Sequence, residues 1–314
     1  MQTSTGRAMA ANRRLGHAAR REELEFYLFV GPWIVGFIVF YAAPIVASFL
    51  ISFTDWPMLS SPTWIGLANY TKILTGDKLF WKVLGNTVYY VGVGVPLQIV
   101  VSLLIALLLN QKVRAMPLFR TLFYIPSLIT GVSLAVVWGW VLNPQFGLLN
   151  HLLRLFGIEG PQWLFNTKTA MPAMILMSMW GTGGSMVIYL AGLQGIPEQL
   201  YEAAEIDGAG SLAKFRFVTV PMMTPTIFFN LIMGVIGAFQ TFAEFFIMTN
   251  GGPADATLTY VLYLYRTAFE YFRMGYASGL AWFLFLVLVV LTLVQFYGAR
   301  YWVYYEAPIA KSRR

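Results

Sequence analysis

The chain contains no cysteine and only two histidines, His17 and His151, in 314 residues. Disulfides, thiolate metal sites and cysteine nucleophiles are excluded, and a histidine-rich metal site has nothing to build it. Charge is also scarce: Asp, Glu, Lys and Arg make up 11% of the residues, against about 25% in an average soluble domain. The sequence has no G-x-x-x-x-G-K-[ST] phosphate loop, no H-E-x-x-H and no G-x-S-x-G. ATP binding through a P-loop and a convergent catalytic set are therefore both missing. What is abundant is apolar: 58% hydrophobic and 17% aromatic residues, with a mean hydropathy of +0.65. A soluble globule of this length could not bury so much apolar surface and stay dispersed. Disorder, a collagen-like fibre and a small disulfide scaffold are excluded by the same figures. The composition is that of an integral membrane protein.

A helix needs about 20 apolar residues to cross the hydrocarbon core. Six stretches meet this, at 26–53, 83–109, 121–142, 170–193, 224–248 and 276–297. They predict an all-α integral membrane fold, a single six-helix domain over 26–300, with a basic tail at 1–25 and a second tail at 301–314. With the N-terminus inside, 14 of the 21 Lys and Arg fall on the inner side and 7 on the outer, so both termini are expected in the cytoplasm. Residues 1–21 hold five arginines and no acid, which suits a tail touching anionic lipid. The apolar run after Phe26 is too long for the core of a cleavable signal peptide. Glu22, Glu23 and Glu25 precede the first helix, where acids suit its positive dipole end.

The longest polar interruption on the inner side is 195–221. Pro197 is expected to start a short helix with Glu198 in its first turn, and Leu200, Ala203 and Ala204 share one face. Two alanines leave a shallow surface on which another protein can lie. Gly208 and Gly210 can break the helix or take positive φ, Ser211 can cap a second short helix, and Pro221 and Pro225 mark re-entry into the bilayer. Read from the residues alone, an ordinary amphipathic interfacial loop is the competing explanation.

Polar residues at membrane depth are the candidates for a solute path. Glu244 lies in the fifth apolar stretch; Gln240 and Glu244 are i and i+4, and with Thr241 they predict a polar stripe. A tie from Glu244 to Arg266 or Arg273 is the structural alternative. In the fourth stretch, Trp180-Gly181 and Gly184-Ser185 offer an aromatic plate beside a small-residue gap, which suits a sugar ring. Gly181, Gly183 and Gly184 follow no strand, so close helix packing is expected of them rather than phosphate binding.

Glu202-Ala203-Ala204, three residues, Gly208, nine residues, then Val218-Thr219-Val220-Pro221 resembles the EAA loop of binding-protein-dependent ABC importer permeases, and Asp207-Gly208-Ala209 adds to the match. The family usually carries isoleucine and leucine where this chain has Val218 and Val220. Thr249-Asn250-Gly251-Gly252-Pro253, and Gly66-Leu67-Ala68-Asn69-Tyr70 with Asn86-Thr87, extend the likeness to the carbohydrate-uptake permeases of the maltose and glycerol-3-phosphate type. The resemblance implies a type I importer fold whose loop (Glu202, Ala203, Ala204, Asp207, Gly208, Ala209) is a coupling helix docked on an ATPase subunit. It further implies a second homologous permease, an ATP-binding cassette dimer holding ATP and Mg, and an extracytoplasmic sugar-binding protein. No cofactor in this chain and no nucleic acid are implied, and the location is a bacterial or archaeal cytoplasmic membrane. The family places its sugar contacts in the helices that carry Trp180, Gly181, Gly184, Ser185, Gln240, Thr241 and Glu244. The competing class, a self-contained secondary transporter or channel, has one lone intramembrane carboxylate, Glu244, with no counterpart in the first half.

Overall fold

In the computed structural model residues 22, 24–111, 113–129 and 131–305 are described. The arginines of the first 21 residues, Lys112 and the basic end 306–314 lie outside the described residues, and with them most of both expected tails. Five helices are long and apolar enough to cross a membrane: α1 (Leu24–Ile51), α3 (Lys78–Leu109), α7 (Ala170–Gln194), α9 (Ser211–Phe239) and α12 (Met274–Ala299). Between them lie α2 (Ala68–Thr71), α4 (Met116–Tyr124), α5 (Gly131–Val141), α6 (Leu148–Leu155), α8 (Glu198–Ile206), α10 (Ala243–Met248) and α11 (Tyr260–Tyr265). A two-stranded antiparallel ribbon, β1 (Thr54–Asp55) and β2 (Thr63–Trp64), pairs Thr54 with Trp64 and Asp55 with Thr63.

Two of the six expected spans are broken. The third, 121–142, is α4 and α5 bent by 99°. Pro126, which lacks an N–H, lies in the 3-10 turn Ile125–Leu128 that follows α4, and the chain leaves helical backbone at Ile129, with ψ 123°. The fifth does not run from 224 to 248. It begins at Ser211, ends at Phe239, and restarts as α10 after Gln240–Phe242. Phe242 is the N-cap of α10, with φ −138° and no side-chain cap, and within the break the Thr241 hydroxyl donates to Glu244 Oε2 at 3.1 Å. Gln240 and Glu244 consequently do not share a helix face. Two spans also carry π turns, Ile38–Ala42 and Phe215–Thr219, each just before a proline, Pro44 and Pro221, whose ring clashes with the carbonyl four residues back.

In lipid the tails are as apolar as leucine, so helices associate by close packing and polar ties. Side chains pack into two clusters. One lies toward the ends that carry the ribbon and includes Phe80, Tyr90, Met174, Phe245, Tyr260 and Leu280. The other lies toward the 195–221 loop and includes Ala106, Met186, Tyr189, Leu193 and Met223. We call these the far side and the loop side. No residue of α1 is buried; its second half packs on α12, where Trp282 Nε1 donates to Ser48 Oγ at 3.2 Å.

The far side is fixed by Asp77. Its Oδ1 caps α3 by accepting from the amides of Leu79 (3.0 Å) and Phe80 (3.1 Å). Its Oδ2 accepts from the hydroxyls of Tyr263 (2.5 Å) and Tyr276 (2.6 Å), joining α3 to α11 and α12. Burial pushes the carboxyl upward, but the two tyrosine hydroxyls and two amides outweigh it and hold it below the usual carboxylate range. A group depressed in the folded state adds stability above its unfolded value, here 3.8, and that stability is lost as pH falls through the lower folded value. Thermal unfolding in detergent between pH 5 and pH 3 (approximate bounds of that window) should therefore show an acid-side drop in Tm. Asp77→Asn should lower Tm near neutrality and flatten that drop; an unchanged acid slope would remove Asp77 from this role.

Candidate functional site

The loop 195–221 folds as its residues dictate. Pro197 sits at the N-cap of α8 and Glu198 in its first turn. At the other end the Ala209 amide donates to the Ala204 carbonyl (2.8 Å) and the Gly208 amide to that of Glu205 (2.9 Å). This paired closure requires a left-handed residue after the C-cap, and Gly208 supplies it with φ +78°. Gly210 has ordinary φ, and Ser211 caps nothing: Gly210 is the N-cap, and the second short helix expected here is the first turn of α9. Glu205 and Lys214 close the elbow at 2.5 Å, and that bond holds the Glu205 carboxyl below the usual range. The Tyr201 hydroxyl meets Thr219 Oγ1 at 3.0 Å, and Tyr201 and Val218 pack against the loop-side cluster. Glu202, Ala203, Asp207 and Gly208 are exposed, and Ala204 and Ala209 partly so. In the same loop and at the start of α9, Ile206, Leu212 and Phe217 are 87%, 79% and 71% exposed, and exposed apolar side chains of this size suit a protein contact.

Between the two clusters lie two adjoining cavities. The smaller, about 220 Å³, is lined by Tyr90, Gly94, Gln98, Ser178, Gly237 and Thr241 among others. The larger, about 380 Å³, includes Gln98, Ser102, Gly184, Ser185, Tyr189 and Asn230. Val95, Gln98 and Gly234 belong to both, so the two cavities adjoin along α3. Gln98 Nε2 donates to the Ser178 carbonyl at 2.9 Å, just ahead of the 3-10 turn Met179–Thr182 that interrupts α7. Ser102 Oγ donates to the Gln98 carbonyl at 2.5 Å, and Asn230 Nδ2 to that of Thr226 at 2.9 Å. The Tyr189 hydroxyl is buried and has no hydrogen-bond partner among the described residues. Neither lining contains a charged side chain.

Of the residues expected on the path, Gly184, Ser185 and Thr241 line these cavities. Glu244 does not: it turns toward Thr241 and the start of α5. It ties to neither arginine, since Arg266 serves Glu270 and the Asn250 carbonyl while Arg273 stacks on Tyr276. Trp180 is half-exposed and edge-on to Trp138 at 5.8 Å; Gln240 is exposed in the break. The glycines divide as well. A Cβ on Gly183 would lie 2.6 Å from the Phe123 carbonyl, so that glycine permits close approach of α7 to α4, whereas Gly181 and Gly184 face open space. Packing is thus the role of Gly183 alone.

Sequence reasoning missed Tyr90, Gln98, Ser102, Ser178, Tyr189 and Asn230. A signal existed: on α3, Lys82, Asn86, Tyr90, Gly94, Gln98 and Ser102 recur every fourth residue. This stripe covers about 30 Å at 1.5 Å per residue, the thickness of the hydrocarbon core. The far-side motifs hold its upper end. Asn86 Nδ2 donates to the carbonyls of Asp255 (2.8 Å) and Leu258 (3.0 Å), Thr87 Oγ1 accepts from the Tyr260 amide (2.9 Å), and Asn69 Nδ2 donates to the carbonyls of Ser52 and Thr54, both at 2.9 Å.

Polar cavities between broken and continuous spans, with a structured loop on one side, define a polytopic helical transport component. Residues 78–302 match the family model described as binding-protein-dependent transport system inner membrane component, and the chain belongs to that family. It is 43% identical over 292 residues to the "Probable ABC transporter permease protein YesP" of Bacillus subtilis (strain 168), covering 92% of this chain and 94% of that one. It is 36% identical over 289 residues to the lactose transport system permease protein LacF of Rhizobium radiobacter, covering 90% and 96%. With the arabinooligosaccharides transport system permease protein AraP of Bacillus subtilis (strain 168) it shares 33% over 273 residues, 86% of each. Its fold matches a chain in a crystal structure of a bacterial ABC transporter that imports the acidic polysaccharide alginate, with a TM-score of 0.78 at 23% identity over 92% of this chain and 99% of that chain. The all-α importer-permease architecture is therefore its fold.

The glycine contrast is open to a direct test. Gly183→Ala should lower the Tm of the purified protein, by about 1–3 kcal/mol of stability, because backbone must move to admit the methyl group. Gly184→Ala should leave Tm unchanged. Equal effects at both positions would contradict the packing described.

Proposed function

We propose that this chain is one of two membrane-spanning subunits of an ATP-driven sugar importer, with both termini in the cytoplasm. The loop side is then the cytoplasmic side, and the exposed face of α8 with the turn at Gly208 is the seat of a separate ATP-binding cassette subunit that holds ATP and Mg. The observation that carries this reading is the connection of α8 to the cavity. Tyr201 on α8 bonds Thr219 at the root of α9 and packs on the cluster that contains Tyr189, whose hydroxyl borders the cavity. A displacement of α8 therefore reaches α7 and α9 as a rigid-body shift of packed helices, the usual form of such gating.

Sugar is the substrate class suggested by the relatives that are named for lactose and arabinooligosaccharides. The cavity suits it: neutral amide and hydroxyl groups (Gln98, Ser185, Tyr189, Asn230, Thr241) can exchange hydrogen bonds with sugar hydroxyls without a desolvated charge. Trp180, Gly181 and Gln240, on the outer surface, are assigned to the face that a second, homologous permease would close. An extracytoplasmic sugar-binding protein would deliver solute to the far side.

Gly208→Val would force a β-branched residue to φ +78°, and Glu202→Lys would reverse a charge on the docking patch. A charge-assisted bond at a desolvated contact is worth about 1.5–3 kcal/mol, so either change should cut ATPase recovery and sugar uptake by tenfold or more, roughly. Pull-down of the ATPase subunit and uptake, at matched membrane abundance, measure this. Normal uptake in both variants would show that α8 is not the coupling element.

A further inference from the structure

We propose that the far-side mouth of the solute path admits an acidic oligosaccharide, one that carries carboxylates, and that Lys82 and Lys168 are its first contacts. The proposal rests on the reading of this chain as a sugar importer subunit and narrows its substrate. A third cavity of about 580 Å³ lies at the upper end of the α3 stripe, lined by Lys82, Asn86 and Tyr89 of α3, by Thr167 and Lys168 ahead of α7, and by Ala254 of the 249–258 loop. Three separate segments thus build it, and one of them, α3, also lines the two deeper cavities.

The charges that line this mouth are two ammonium groups. Asp255 lies 4.0 Å from Lys82 and offsets one of them; Lys168 forms no ion pair with a described residue. The amide end of α7, which begins at Ala170, adds to the positive potential beside Lys168. Lys82 donates one N–H to the Ala254 carbonyl at 2.6 Å, leaving two of its three donors for a ligand. Asn86 is committed to the carbonyls of Asp255 and Leu258, so it shapes the wall. Tyr89 is half-exposed and presents a ring for the face of a sugar. A neutral oligosaccharide gains little from two lysines in the cavity wall. A carboxylated one is drawn in by them and held by charge-assisted bonds. No carboxylate lines the cavities below; the Glu244 carboxylate stands behind the wall of the smaller one, where the Thr241 hydroxyl donates to it at 3.1 Å.

The test uses the intact importer, purified through this chain with the chains that accompany it and held in nanodiscs. Lysine acylation is followed by mass spectrometry with trigalacturonate, with neutral maltotriose, and with the solute-free binding protein. Trigalacturonate should slow labelling of Lys82 and Lys168 while Lys72 is unaffected, and maltotriose should protect none of the three. In cells, Lys168→Gln and Lys82→Gln should reduce uptake of the acidic trisaccharide about tenfold relative to a neutral one. Labelling indifferent to trigalacturonate overturns the proposal, and so does protection by the binding protein alone, which would make the lysines a docking contact. Uptake of any sugar that depends on the binding protein would in either case leave the importer reading standing, whereas binding-protein-independent uptake would sink that reading.

Discussion

A helix can break inside a membrane only if the backbone groups freed by the break find partners, because lipid offers none. Here α3 supplies them. Its Gln98 amide serves the Ser178 carbonyl at the interruption of α7, its Asn86 amide serves two carbonyls of the 249–258 loop, and its Thr87 hydroxyl serves the first amide of α11. The same helix is anchored at its start by Asp77, whose second oxygen receives the two tyrosine hydroxyls from α11 and α12. One unbroken span of 32 residues therefore holds the interrupted parts of the chain in register. The polar cavities are a consequence of this arrangement. They open where α3 faces the interruption of α7 and the end of α9, and Gln98, which serves the Ser178 carbonyl at that interruption, lines both.

The two packed clusters on either side of the cavities give the molecule its mechanical character. Close-packed side chains move as blocks, so a solute space between two blocks can change shape when one shifts against the other. The loop-side block extends to α8 through Tyr201, Thr219 and Val218. The far-side block extends to the ribbon and α2 through Asn69 and through the Ser52–Tyr70 bond of 2.7 Å. A force applied at α8 and a protein docked on the far side would thus act on different blocks, with the α3 stripe running through both.

Long apolar runs made the spans legible, and the loop was legible almost in full, because proline, glycine and a short amphipathic face act locally. Pro197 and Gly208 sit where their backbone preferences put them. The breaks were not legible. Residues 240–242 interrupt a run that remains apolar on both sides, and the extended backbone of Ile129, at the end of the 3-10 turn after α4, does the same in another. The Asp77 anchor was invisible for another reason: its partners lie 186 and 199 residues away. The path was half legible. Ser185 and Thr241 stand out as polar residues beside glycine or glutamine, whereas Gln98 and Asn230 look like single strays until the i+4 spacing on α3 is laid against the helices it faces.

That stripe is the central claim, and the absence of cysteine makes it directly measurable, since any introduced thiol is the only one in the chain. Single substitutions Asn86→Cys, Gly94→Cys and Gln98→Cys on the stripe are compared with Val93→Cys, Leu97→Cys and Leu104→Cys on the exposed apolar side of α3. The variants are treated in membranes with a charged, membrane-impermeant thiol reagent. The stripe positions should be modified, and solute should slow their modification; the apolar positions should stay unmodified. Modification confined to the apolar positions, or stripe positions inert with and without solute, would show that α3 carries its polar residues for packing alone.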